Sequence, residues 1–233
     1  MPCYLNIGNT HTQILTVRTD GVRSIRTVST AEFDLACLPD DAGRVAAACV
    51  VSEQAERLSR AGVPMAIPEA ASRFVDFSAV DASTLGQDRV ANAVCLAGNA
   101  PLPAVVFDFG TCITAEVVDA RKRFLGGAIL PGRLLTRKAL RLYTSRLPEV
   151  PLSPEPPPCP GANTAEAIRA GTDGAAIDAV AGFLVRLGKV FGQKPAVYAC
   201  GGDRAFFLRA PELAGMTDGG DDFTLRGIEI LFP

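Results

Sequence analysis

Two carboxylates and two glycine turns offer the chemistry in this sequence. Asp108 closes an otherwise apolar run, 104–109 (AVVFDF). A charge there is costly unless it faces a cleft or a cation. Asp88 follows Leu85-Gly86-Gln87 and opens an alanine-rich stretch. It can serve as a base, although a helix start also favours a carboxylate through the helix dipole alone. Arg89 beside it carries a planar fork that pairs with carboxylates in bidentate fashion. The turns Gly8-Asn9-Thr10 and Gly110-Thr111 each follow an apolar strand-like run. Glycine lets backbone approach a bound group, and exposed N–H groups there can hold phosphate. Either turn alone also reads as an ordinary hairpin link; the pair, one in each half of the chain, is the stronger signal.

Other chemistries find little support. No GxxxxGK[ST] and no GxGxxG phosphate loop occurs. The only histidine, His11, sits just after the first turn, where an exposed position is the simpler reading than a hydrolase triad. The seven cysteines include no CxxC pair, and several lie in apolar runs such as 46–51 and 196–200. They read as buried, reduced thiols of a cytoplasmic protein rather than as zinc ligands or disulfides. With a formal charge of −2 and no long Lys/Arg run, nucleic acid is not an expected partner. Neither a signal peptide nor a stretch of about 18 uncharged apolar residues is read, so no membrane partner is expected. The chain has 233 residues, 48% of them hydrophobic, which is enough for a sizeable core without disulfides.

The elements that must position these residues follow from periodicity. Strands are expected at 3–8, 12–18 and 22–28, separated by Gly8-Asn9-Thr10 and Asp20-Gly21. A helix-like stretch follows near 30–37, then a strand at 46–51, a helix at 52–61 and a short strand at 63–67. Residues 68–85 look irregular, and 87–97 helical. In the second half, strands are expected at 104–109, 112–118 and 123–130, then a helix over 133–145. A rigid proline-rich loop covers 148–160 (PEVPLSPEPPPCP). One long helix is expected over 164–188, a strand at 195–200, a helix near 203–210 and a final segment, LRGIEILF.

A strand–turn–strand–strand unit followed by α/β elements therefore occurs twice, from about residue 3 and from about residue 104. The expected fold is α/β, with two ribonuclease-H-like halves, 1–102 and 103–233, and a central cleft. A single doubly wound sheet is the alternative, but it would put helices between the first strands.

In these residues the chain resembles the type III pantothenate kinases, within the actin-like ATPase superfamily. The matching segments are IGNT near the N-terminus, Gly86–Arg89 (GxDR) and Asp108–Thr111 (DxGT). FLGGAILPG (124–132), ALRLYTSRLPEV (139–150), GANTAEAIRAG (161–171) and the late Gly201-Gly202 complete the set. The resemblance implies ATP-dependent phosphorylation of the pantothenate hydroxyl, the first step toward coenzyme A. It makes Asp88 the general base and places Gly86, Gln87, Asp88 and Arg89 on pantothenate, with Thr164 reaching it from the neighbouring subunit of a homodimer. Asn6, Gly8, Asn9, Thr10 and Gln13 would hold the phosphates with Mg2+, Thr111 would contact ATP, and Asp108 would hold a monovalent cation, K+ or NH4+.

The chain departs from that family at four positions. Asn6 stands where an Asp is usual, Gln13 where a Lys is common, Ala79 where a pocket Tyr is found, and Glu116 where Asp is frequent. Lost charge at Asn6 weakens the pull on a hard cation. Two alternatives to an active pantothenate kinase follow: a non-catalytic relative, and a kinase of the same fold acting on another small hydroxyl compound.

Overall fold

The computed structural model describes residues 1–233. The first sheet is built from β1 (Pro2–Ile7), β2 (His11–Val17), β3 (Arg23–Ser29) and β4 (Arg44–Cys49) in the order β3-β2-β1-β4. β1 and β2 run antiparallel with Asn6 opposite Gln13, β2 and β3 run antiparallel, and β4 lies parallel to β1 with Cys49 opposite Ile7. The central strands carry Leu5, Ile7, Ile14 and Ala47 into a core with Phe33 and Leu58. β3 sits at the edge with most of its side chains exposed, and its two arginines and two serines suit an edge that must not recruit another strand.

α1 (Ser52–Arg60) follows β4, then a short α2 (Pro68–Ala71) and α3 (Gln87–Asn99). α3 buries every residue from Val90 to Ala97. Small side chains make that possible, because the last helix, α8 (Phe223–Leu231), packs directly on it. A Cβ added to Gly227 would overlap the Ala91 carbonyl. The helix-like stretch near 30–37 resolves into two 3-10 turns, Thr30–Glu32 and Leu35–Cys37. Asp34 accepts from the Ala36 amide and Phe33 is buried between them, so local capping and one core contact interrupt the helix.

The second sheet contains β5 (Ala104–Phe109), β6 (Cys112–Val118), β7 (Phe124–Pro131), β8 (Ala196–Cys200) and β9 (Thr217–Asp218), in the order β7-β6-β5-β8-β9. Its third, second, first and fourth strands stand in the same order as those of the first sheet, so the duplication seen in the sequence is a duplication of topology. Between β7 and β8 come α4 (Arg133–Tyr143), α5 (Thr164–Arg169) and α6 (Ala175–Phe191); α7 (Arg204–Phe207) follows β8. The helix expected over 164–188 is present and continues to Phe191, with one π-turn inside it at Ala170–Gly174. α6 ends at Gly192 in the left-handed conformation, φ 66°, a common helix stop.

Contacts divide the chain into two compact units. One holds Met1–Ala104, Glu116–Gly126 and Asp222–Pro233; the other holds Val105–Ala115 and Gly127–Asp221. In the second unit, Phe109 stacks on Phe207 at 3.9 Å between ring centroids, and Phe107 meets Phe183 edge-on at 6.0 Å. The proline-rich stretch 148–160 forms no helix or strand. Prolines leave its carbonyls without ladder partners, and arginines supply donors instead. Arg137 donates to the carbonyls of Val150 and Pro151, Arg133 to Ser153, Arg209 to Pro154 and Arg169 to Glu155.

Arg133 and Arg137 are themselves buried, and their charge is matched by Asp173 of the π-turn, which both contact, and by Asp203, which Arg133 grips through two nitrogens at 2.7 and 2.5 Å. Arg133 also lies 3.4 Å above the Phe206 ring. A buried cluster of this kind tolerates no missing partner.

Candidate functional site

In the first unit the candidate residues converge on one end of the sheet. β1 and β4 are parallel, so both end on the same side. β1 runs directly into Gly8-Asn9-Thr10, a tight turn closed by the Gly8 amide on the His11 carbonyl at 3.0 Å. Thr30 braces that turn. Its hydroxyl donates to the Gly8 carbonyl at 2.7 Å and its amide to the Thr10 carbonyl at 3.0 Å. Asn9, Thr10 and His11 are exposed. Thr30 was not legible as a site residue, because nothing in its local sequence marks it as the brace of a turn 20 residues earlier.

At the same end, the Cys49 amide donates to the Gln87 side-chain oxygen at 3.0 Å. This tie fixes the first turn of α3 against β4 and gives Gln87 a structural role. Gly86 caps the helix in extended conformation, and a Cβ there would lie 2.7 Å from Asp88 Oδ1. Asp88 folds back over the helix start, where Oδ1 accepts from the Arg89 amide at 2.8 Å. Burial pushes its carboxyl above the ordinary value of 3.8, opposed by the Arg89 amide and by the Arg89 guanidinium. A carboxylate raised in this way is suited to accept a proton.

Arg89 Nε donates to Glu116 Oε1 at 2.9 Å, and Glu116 is fully buried in β6. The guanidinium lies 5.8 Å from the centre of the Phe124 ring. Asn6 and Gln13, opposite one another on β1 and β2, share an amide–amide hydrogen bond of 3.3 Å from Asn6 Nδ2 to Gln13 Oε1. Ala79 is exposed, just after a turn in which Asp76 accepts from the Ser78 amide.

The second unit holds the other candidates. Asp108, half-buried at the end of β5, precedes the exposed Gly110-Thr111 turn. Two further glycines press on that turn. Gly132 donates its amide to the Thr111 carbonyl at 2.9 Å, and a Cβ on it would stand 2.6 Å from the same oxygen. Gly201, at φ 85°, packs against Asp108; a Cβ there would overlap Asp108 Oδ1 and lie 2.6 Å from the Phe109 carbonyl. The Phe109 carbonyl is held by the Asp203 amide at 2.9 Å. This cradle of bare backbone has room only for glycine, and the signal was present in the sequence as Pro131-Gly132 and Gly201-Gly202. Thr164 is exposed at the start of α5, whose N-cap Asn163 accepts from the Glu166 amide.

The donors at the first turn are neutral: Asn6, Asn9, Thr10 and Gln13. No group of three or more His, Cys, Asp or Glu side chains gathers anywhere in the chain. A Mg2+ brought to this turn would meet only neutral oxygens from these side chains.

The topology and the glycine turns define an α/β protein with the actin-like ATPase and sugar-kinase fold. Solved structures agree on the fold. A Campylobacter jejuni protein described as belonging to the Baf family of transcriptional activators superposes with a TM-score of 0.65 at 21% identity, covering 98% of this chain and 96% of that one. The activator of the 2-hydroxyisocaproyl-CoA dehydratase from Clostridium difficile, with bound ADPNP, gives 0.51 at 14% identity, covering 98% and 92%.

The family model for type III pantothenate kinase matches residues 4–186, and the chain belongs to that family. Type III pantothenate kinases from Desulforapulum autotrophicum and Akkermansia muciniphila are 33% and 37% identical over 150 and 146 residues, 63% of this chain in each case. The matched stretch spans little over half of those relatives, 55% and 59% of their length. No helix is long and apolar enough to cross a membrane.

Proposed function

We propose that this chain transfers the terminal phosphoryl group of ATP to the hydroxyl of pantothenate, giving 4′-phosphopantothenate and ADP, the first step of coenzyme A biosynthesis. The observation that carries the reading is the pair at the start of α3: Asp88, with its carboxyl raised by burial, adjoining Arg89, whose guanidinium is held by Glu116. Asp88 takes the hydroxyl proton, the freed oxygen attacks the γ-phosphorus, and the bond to the β–γ bridging oxygen breaks as ADP leaves. Phosphoryl transfer asks the protein mainly for positioning and charge neutralisation, so one base within reach of the nucleophile suffices.

In this reading Gly86, Gln87 and Arg89 bind pantothenate, and Arg89 takes its carboxylate. Gly8, Asn9 and Thr10 offer backbone and side-chain donors to the phosphates, with Asn6 and Gln13 beneath them, and Thr111 contacts ATP. With Mg2+ bound there, the ion would supply neutralisation of phosphate charge. Asp108 holds a monovalent cation, K+ or NH4+, an assignment supported by its half-buried carboxylate at the end of β5 beside the glycine turn.

We assign the working form to a homodimer in the cytoplasm, with Thr164 reaching the neighbour's pantothenate. Supporting it, the second unit leaves Ile129, Leu142, Tyr143, Val185 and Val190 at 62% exposure or more, an apolar load that a second copy would cover. Release of ADP from ATP, measured with and without pantothenate and with and without K+, tests the reading. Pantothenate-dependent release stimulated by K+ supports it, and no release under any of these conditions refutes it.

The neutral Asn6–Gln13 pair favours a second reading, a relative that keeps the fold and binds ligand but turns over poorly. Binding of ATP and pantothenate without ADP release would favour this second reading over the first.

A further inference from the structure

Glu116 is a fully buried acid in a strand, and the phosphoryl-transfer scheme above uses it only as the partner of Arg89. Each of its oxygens accepts a hydrogen bond. Oε1 accepts from Arg89 Nε at 2.9 Å, and Oε2 accepts from Asn92 Nδ2 at 3.2 Å. Asn92 lies one turn along α3 from Arg89 and is itself buried. Its side-chain oxygen accepts from the Thr224 hydroxyl at 2.8 Å, and Thr224 is a buried residue of α8. The chain of contacts therefore runs from α8 through α3 to β6 and returns to the guanidinium at the start of α3.

The chemistry has a direction. Thr224 fixes which way the Asn92 amide points, Asn92 fixes the rotation of the Glu116 carboxylate, and Glu116 fixes the plane of Arg89. An arginine side chain has many rotamers, and ordering it on binding costs affinity. A guanidinium already set in one plane by a buried carboxylate has met that cost before the ligand arrives. Glu116 sits at 0% exposure, where a charge persists only if paired, and the group that pairs it is the arginine next to the proposed base.

We infer that Glu116, supported by Asn92 and Thr224, is a positioning residue that presets Arg89 to read the carboxylate of the substrate. Specificity for a carboxylate-bearing alcohol over its neutral analogue is then decided in part by a residue that never touches it. This inference rests on the proposed kinase reading for its choice of ligand.

Calorimetric binding of pantothenate and of pantothenol, the analogue with an alcohol in place of the carboxylate, tests it without requiring turnover. Glu116→Gln keeps the shape and removes the charge. The expected result is pantothenate binding weakened by about 10-fold or more, in line with the loss of a hydrogen bond to a charged group. Binding of pantothenol should change much less, and Glu116→Asp should recover part of the loss. Equal weakening of both ligands, or of neither, would overturn the inference. Should Glu116→Gln fail to fold, Thr224→Val releases only the far end of the chain, and it should weaken pantothenate selectively by a smaller factor; no selectivity there overturns the inference equally. Wild-type binding with the selective Glu116 effect but no ADP release would sink the kinase reading and leave this one standing. Wild-type turnover with no selective effect would do the reverse, and a wild type that binds no pantothenate refutes both.

Discussion

Asn6 donates across the first hairpin to Gln13, amide to amide, at 3.3 Å. The strand positions that face each other beside the proposed phosphate turn thus carry no charge, and none occurs in residues 1–17 apart from the terminal amine. A hard cation prefers a carboxylate oxygen over an amide oxygen. Asn6→Asp should therefore lower the Mg2+ concentration needed for half-maximal ADP release and raise the rate at limiting Mg2+. A Mg2+ titration of both proteins checks this, and identical curves would show that Asn6 does not govern metal handling.

Asp88→Asn should lower kcat by about 10²- to 10⁴-fold, the usual worth of a general base. It should also make the protein more stable at neutral pH. Burial raises the Asp88 pKa, so the folded state binds the proton more tightly than the unfolded state does. Ionised Asp88 then costs stability, and that cost grows as pH rises from the ordinary carboxylate value of 3.8 through the raised one. Thermal unfolding should show a higher Tm for the variant at pH 7 and a shrinking difference toward pH 4. In the wild type, kcat/KM should fall as pH drops through the raised pKa, so its acid limb lies above 3.8. A lower Tm for Asp88→Asn at pH 7 would contradict the burial argument.

Gly201→Ala combines two penalties. Its φ of 85° disfavours any side chain, and the new Cβ would overlap Asp108 Oδ1. A loss of about 1–3 kcal/mol is expected from the backbone strain alone. Displacement of Asp108 should also abolish K+ stimulation of ADP release. Retained K+ stimulation in a folded variant would argue against Asp108 as the cation ligand.

Arg137→Met removes one cation from a buried cluster in which Asp173 meets both Arg137 and Arg133. Asp173 would keep Arg133 and the Thr172 hydroxyl but lose one of its two cations, and the carbonyls of Val150 and Pro151 would lose their donor. Breaking a buried pair from one side costs about 3–5 kcal/mol. Chemical denaturation should show this loss, and limited proteolysis should cut first within 148–160. A neutral effect would mean that the proline-rich stretch 148–160 is held by Arg133, Arg169 and Arg209 alone.

Much of the fold was legible because the elements carry their own signals. The alternation of Cys112–Val118 marks β6 with the same bounds in sequence and structure. The glycine turns, the alanine-rich α3 and the doubled strand–turn–strand–strand pattern likewise depend on neighbours close in the chain. The helix expected over 164–188 holds as one helical run from Thr164 to Phe191, and the π-turn at Ala170–Gly174 inside it has no marker in the local sequence AGTDG. Within that turn Asp173 is buried and pairs with Arg133 and Arg137 of α4, a contact between segments distant in the chain. The 30–37 stretch differs from the expected helix, forming two 3-10 turns with Phe33 buried in the core between them.

The sequence by itself determined the residue types that could do chemistry: Asp88 beside Arg89, Asp108, and two glycine turns, each set by local spacing and by the absence of rival motifs. Only the tertiary structure decided how those groups are held. Thr30 reaches back to Gly8, Gly201 leans on Asp108, and Glu116 orients Arg89 from 27 positions away. Such pairings depend on burial and on donor–acceptor geometry between segments distant in the chain. No local pattern encodes them, since a buried acid and an exposed one are the same letter until the fold removes the water.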